Sequence, residues 1–200
     1  MSALAHPAAS GARPGAVLVI PWRTPYSTQE ARVTLTVSAD GRTAEGRFSP
    51  GPERRTARPG SGPTSPTVDV AAEGDVSTTA LTEAEFCREA NGFSPVEFAL
   101  GVRLRDCRQA AAPRQGYGRA VWFQGLDDDP SWACVLFRSE PHLTTLVWQG
   151  GPRRLWDEAE AAYRWWVGQG EPPPGRFGVT VDGADGRVWL DDPDSVIRRL

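Results

Sequence analysis

Residues 15–22, GAVLVIPW, form a short continuous apolar run that predicts a buried strand. Residues 31–49, ARVTLTVSADGRTAEGRFS, alternate apolar and polar on both sides of Asp40-Gly41, the pattern of a hairpin with its turn at that dipeptide. GRAVWFQG, SWACVLFR and LTTLVWQG, between residues 118 and 150, are β-rich runs separated by LDDDP and SEPH, a spacing that predicts an antiparallel meander. A last hairpin is expected from RFGVTVDGADGRVWLDD, residues 176–192, with Gly and Asp in its turn. Two short helices carry start signals before the meander. Thr82 with Glu85 reads as one capping box, and Ser94 with Glu97 as a second with Pro95 at the first helical position. Asn91-Gly92 is placed to close the first of them.

The segment GPRRLWDEAEAAYRWWVGQG, residues 151–170, changes to the helical period. At about 100° per residue, Leu155, Trp156, Ala159, Ala162, Tyr163 and Trp166 fall within one arc of roughly 120°, a stripe that predicts packing on a sheet. Arg153, Asp157, Glu160 and Arg164 lie opposite, with Glu160 and Arg164 spaced as a favourable i,i+4 pair. Trp165 belongs to neither side. It falls beside Arg154, Glu158 and Ala161 and needs a cover of its own, from the linker, from a neighbouring loop or from a partner.

These elements predict an α+β fold, mainly antiparallel sheet with three helices, in three parts. Residues 1–48 form a β fragment, residues 49–66 a Pro-, Gly-, Ser- and Arg-rich flexible linker, and residues 67–200 an α+β module. A chain of 200 residues is long enough to bury a core and shows no fixed-period repeat.

Composition mainly removes possibilities. All 22 basic residues are arginine, so lysine-dependent sites such as a P-loop lysine or a Schiff base are excluded. A net charge of −3 with no basic stripe argues against a nucleic-acid partner. The longest apolar run, AVLVI, is too short to span a membrane and the N-terminus lacks signal-peptide features, so a cytoplasmic location is expected. Cys87, Cys107 and Cys134 have no metal-site spacing and are expected to be reduced, half-buried thiols. The acidic groups Asp127-Asp128-Asp129, Asp182 with Asp185, and Asp191-Asp192 with Asp194 sit where turns belong and match no calcium-loop spacing; no metal is expected. Cys134 with His142 carries no local nucleophile signature, His6 lies near the N-terminus, and the GYG at 116–118 lacks the third glycine and helix context of a phosphate cradle.

Several blocks occur together and in order: RPGAVLVIPWRTPY, ARVTLTVSADGRTAEGRF, FALGVRLRDC, SWA, GPRRLWDEAEAAYRWW and RFGVTVDGADGRVWLDDPD. With them the chain resembles the C-terminal part of actinobacterial protein-L-isoaspartate O-methyltransferase-like proteins, including methyltransferases encoded beside ribosomal peptide natural-product clusters. The similarity spans nearly all of the chain outside the linker. In that family a Rossmann-like domain with a Gly-rich S-adenosylmethionine loop comes first, and the resemblance implies that residues 1–48 correspond to the end of its sheet. Where the family has PWGT-x-[YF]-x-N-G this chain has PWRTPYSTQ, with Arg23 in place of the small residue and Gln29 near the usual glycine.

The resemblance without a cofactor fingerprint implies a module that is non-catalytic alone and binds a peptide or a separate methyltransferase domain. No cofactor is expected unless a partner chain supplies the S-adenosylmethionine site. Pro21, Trp22, Tyr26, Arg154 and Trp165 are the candidate contact residues. Two alternatives stay open: one subunit of a split carboxyl O-methyltransferase, completed through residues 16–38, and an inactive remnant.

Overall fold

The computed structural model describes residues 12–52, 73–114, 118–138, 144–183 and 185–200. Its fold is α+β, with antiparallel strand pairing throughout the two sheets and three helices. The first sheet has six strands in the order β1 (Val17–Trp22), β2 (Ala31–Val37), β3 (Thr43–Pro50), β9 (Phe177–Asp182), β10 (Asp185–Leu190), β11 (Val196–Arg199). Its strands come from the two ends of the chain, and we call it the terminal sheet. The second, the inserted sheet, has five strands in the order β4 (Asp75–Thr79), β8 (Thr145–Gly150), β7 (Trp132–Leu136), β6 (Arg119–Gly125), β5 (Cys107–Pro113).

The boundary expected after residue 48 is therefore corrected. β3 pairs with β9 from Thr43↔Asp182 to Arg47↔Gly178, so the early strands and the closing hairpin share one sheet and the inserted sheet interrupts it in sequence. Strand pairing across such separations leaves no local trace in sequence, whereas a Pro- and Gly-rich stretch does. From residue 53 to 66 the expected linker lies outside the described residues, while Ser49 and Pro50 end β3.

Each sheet carries one helix on its inner face. In β2 the residues alternate strictly, with Ala31, Val33, Leu35 and Val37 buried and Arg32, Thr34 and Thr36 exposed. α2 (Pro95–Arg103) covers that face through Phe98, whose ring meets Trp22, Phe48 and Phe177 at centroid distances of 5.6, 5.4 and 5.2 Å. α3 (Leu155–Gly168) packs on β6, β7 and β8, and Trp156 meets Phe123 and Phe137 there. The buried residues of α3 are Leu155, Trp156, Ala159, Ala162, Tyr163 and Trp166, the stripe its periodicity predicts. α2 and α3 pack on each other, which joins both inner faces into one core.

Two side chains from strands finish the helix ends. Arg154, the residue before α3, makes no side-chain cap; instead the fully buried Gln149 of β8 accepts from Trp156 N at 3.1 Å and donates to Asp157 Oδ1 at 2.7 Å. Arg198 of β11 donates to the carbonyls of Gly101, Val102 and Leu104, placing a cation at the C-terminal end of α2. Both capping residues expected for α1 (Glu83–Phe86) and α2 form, through Thr82 and Ser94. Asn91-Gly92 does not close α1, which ends at Phe86; with φ of 52° and 72° the pair forms the turn between the bridged residues Ala90 and Phe93.

Candidate functional site

The five candidate contact residues are not gathered into one place. Trp22 is the inward-facing end of β1 and is 4% exposed, within an aromatic cluster with Phe48 and Phe98. Tyr26 is 1% exposed, beside Phe123, and its carbonyl accepts from Gln109 N at 2.6 Å. Burial raises its phenol well above the ordinary value. These two residues are core, a correction to their expected role: Trp22 is an inward-facing strand residue against Phe98 of α2, and Tyr26, in the loop after β1, packs beside Phe123 of β6. Pro21 is exposed on the outer side of β1. Arg154 is partly exposed but engaged with Asp75 of β4 and with Asp157.

Trp165 finds its cover in the described residues. The guanidinium of Arg103, the last residue of α2, lies 4.5 Å from its ring centroid. Beside this pair is an open cleft of about 400 Å³, bounded by Gln169 and by the β10–β11 turn from Leu190 to Ile197 with Asp191, Asp194 and Ser195. The Asp191 carboxylate is held by Arg176, with 2.8 Å between Nε and Oδ1, and that hydrogen-bonded pairing keeps it below the ordinary carboxylate range. The backbone N–H of Ser195 donates to Asp192 O within the turn. Asp191, Asp194, Ser195 and Gln169 give the cleft a largely polar lining.

The acidic groups do structural work. Asp129 accepts from Ser131 N at 3.0 Å, which with the Arg153 contact lowers its carboxyl below the ordinary range. Arg153 in turn reaches Glu158 and the carbonyls of Arg105 and Asp106, and the Glu158 pairing holds it above its ordinary value. Among the described residues no three His, Cys, Asp or Glu side chains converge as metal ligands. All three cysteines are free, and burial pushes the Cys87 and Cys107 thiols up to about 12 and raises Cys134. His6, His142, Gly116 and Tyr117 lie outside the described residues. Among the described residues no helix is long and apolar enough to cross a membrane.

The most distinctive surface lies elsewhere, on the outer face of the inserted sheet. Strand register aligns Ala110, Trp122, Cys134, Trp148 and Val76 in one row across all five strands. The adjoining row runs Ala112, Ala120, Leu136, Leu146 and Thr78. On the other side stand Arg108, Gln124 and Trp132, with Trp132 edge-on to Trp148 at 5.6 Å. Gly74 lies against both of those indoles, since a Cβ there would come within 2.8 Å of each. Among the described residues the buried Trp148 indole N–H has no acceptor. Trp122, Cys134, Leu136 and Leu146 remain half-exposed, and none belongs to the core formed by the inner faces.

At a strand spacing of about 4.8 Å and a rise of about 3.3 Å per residue, these rows cover on the order of 400 Å² of sheet, part of it closed where Ala120 and Trp132 are buried. The partly exposed tryptophans, cysteine and leucines gathered there make this face the candidate interaction surface. The sequence carried a signal for it: in GRAVWFQG, SWACVLFR and LTTLVWQG the apolar residues occupy both alternating sets, Val121 and Phe123 as well as Trp122, so both faces of the sheet are apolar.

Comparison of the chain with protein-family models, with curated proteins and with solved structures finds no match in any of the three.

Proposed function

We propose that the chain is a polypeptide-binding module, non-catalytic by itself, that docks a peptide or a partner domain on the outer face of the inserted sheet. The observation that carries this reading is the row of Trp122, Cys134, Trp148 and Val76, apolar and partly exposed on a sheet whose other face is already filled by α3. Tryptophan-rich patches with a polar rim, here Arg108 and Gln124, are the composition of interface hot spots. A methyltransferase domain is the partner suggested by the resemblance of the GPRRLWDEAEAAYRWW and RFGVTVDGADGRVWLDDPD blocks. That part of the reading rests on the resemblance alone.

The test is capture from native extract with the full chain and two variants. A partner retained by the wild type and by Thr34→Lys on the terminal sheet, yet lost with Trp122→Lys, supports docking on this face. Equal capture by all three removes it. S-adenosylmethionine titrated against the isolated chain is expected to show no binding, and a micromolar affinity would end the non-catalytic reading.

A second reading is favoured by one observation on β1. Among the described residues its outer edge is unpaired, and Val17 and Val19 are each 62% exposed, so another chain could extend the terminal sheet along the stretch before Pro21, as a split S-adenosylmethionine-dependent methyltransferase requires. Cofactor binding that appears only when the second chain is added would distinguish it.

A further inference from the structure

We propose that the outer edge of β4 is a strand-addition site, taking an extended segment of a partner polypeptide with apolar side chains at alternate positions. The inference deepens the docking reading by naming how the partner is held, and it rests on that reading only in requiring a polypeptide partner.

The two sheets have four edges between them, and three are blunted. β1 contains Pro21, which has no N–H to offer. β11 is four residues long, pairs with β10 through a bulge at Val188/Trp189, and carries Arg198 and Arg199. β5 has Arg108 and ends on Pro113. β4 has no proline and no bulge, and its one charged residue is Asp75 at the end of the strand. It holds an unbroken register with β8 from Asp75↔Gln149 to Thr79↔Thr145, and Val76, Ser77 and Thr78 between the ends are small or β-branched residues suited to a strand. Four of its five residues are exposed, and Val76 is 69% exposed. Among the described residues no strand pairs on its far side.

The side chains specify what would pair there. Val76 ends the row that continues through Trp148 and Cys134 to Trp122, so outward residues of an added strand would prolong an apolar surface. Main-chain bonding supplies affinity in this mode and alternate side chains supply selectivity. The single charge of β4, Asp75, is turned toward Arg154 but remains 79% exposed, so a basic residue in the partner is matched at that end. A second copy of the chain is a poorer occupant. Two five-residue strands paired edge to edge bury on the order of 500 Å², short of the roughly 1,200 Å² at which stable interfaces begin.

The experiment uses the full chain and a soluble synthetic peptide with Val at alternate positions, Thr between them and Arg at both ends. Amide hydrogen exchange is followed with and without about 1 mM peptide, a concentration that reveals weak main-chain pairing. The expected result is slowing of at least about tenfold across Asp75–Thr79 and none across Val17–Trp22. Val76→Lys, at an exposed position, is expected to abolish that protection with an unchanged melting temperature, and a peptide with Pro at its centre is expected to give none. Protection absent from β4, protection confined to β1, or β4 protection that rises with protein concentration alone overturns the proposal. The two readings fail separately. Trp122, three strands away, can be changed to Lys without loss of β4 protection if the edge is the site; β4 protection that survives Val76→Lys while Trp122→Lys releases the captured partner leaves the face and removes the edge.

Discussion

The outer faces of the two sheets are built from the same antiparallel geometry and differ at their centres. The terminal sheet presents Arg32, Thr34, Thr36, Glu45 and Arg47 to solvent and exposes apolar residues at its edge strands, Val17, Val19 and Pro21 of β1 and Val196 of β11. Its one outward tryptophan, Trp189, is 2% exposed: it lies in the space left by Gly178, its indole N–H donates to Thr180 at 3.0 Å, and the Arg47 guanidinium lies 4.7 Å from its ring centroid. The inserted sheet presents Trp122 and Trp148 with no comparable roof over Trp122 among the described residues. A tryptophan on an outer face is thus not itself a sign of binding. What decides is whether glycine, hydrogen-bond acceptor and cation have been arranged to close over it.

The contrast can be broken most severely at Gly178. A Cβ there would come within 2.1 Å of the Trp189 ring, so Gly178→Val should expel the indole and cost about 3 kcal/mol or more, read from the urea unfolding midpoint, with partner capture unchanged in the folded fraction. On the other sheet the effects should reverse. Trp122→Lys should weaken docking by about 2 kcal/mol, roughly thirtyfold, as loss of an interface anchor does, while changing stability by less than about 1 kcal/mol. Arg47→Ala should be milder, costing about 1 kcal/mol and shifting Trp189 fluorescence to the red as its cover is removed.

The smallest effect expected is on the acid limb of stability, and it should be shared by both sheets. Asp191 beside the terminal sheet and Asp129 beside the inserted one are both held below the ordinary carboxylate range, by Arg176 and by Ser131 with Arg153. Because their folded values lie below the unfolded one, the unfolded chain takes up protons first as the pH falls. Their contribution is therefore intact above about pH 4 and lost as the pH drops through the folded values. Melting temperature against pH should decline less steeply in that window for Asp191→Asn and Asp129→Asn.

The parts of this arrangement that were legible in the sequence are those set by short-range periodicity. The buried stripe of α3 was fully readable, as were the alternation of β2 and the caps at Thr82 and Ser94, since each depends on residues within a few positions of one another. β4, β5 and β11 were not legible: DVSTT, CRQAAAP and VIRR are short, alanine-rich or charged, and become strands because a neighbour offers an edge. The assignment of strands to two sheets was equally hidden, as it depends on β3 meeting β9. For the candidate site, the period of α3 leaves Trp165 in need of a cover, and that cover is Arg103 from another helix. Trp22 and Tyr26, expected as contact residues, are core because the burial of one depends on Phe98 and of the other on Gln109 and Phe123, all more than 70 residues away.

The central claim is that the outer face of the inserted sheet, and not that of the terminal sheet, is an open apolar docking surface. Titration with 8-anilinonaphthalene-1-sulfonate under native conditions tests it without any partner in hand. Saturable, blue-shifted fluorescence is expected from the wild-type chain and from Thr34→Lys, and its loss from Trp122→Lys. No dye binding by the wild type, or equal binding by all three proteins, would contradict the account.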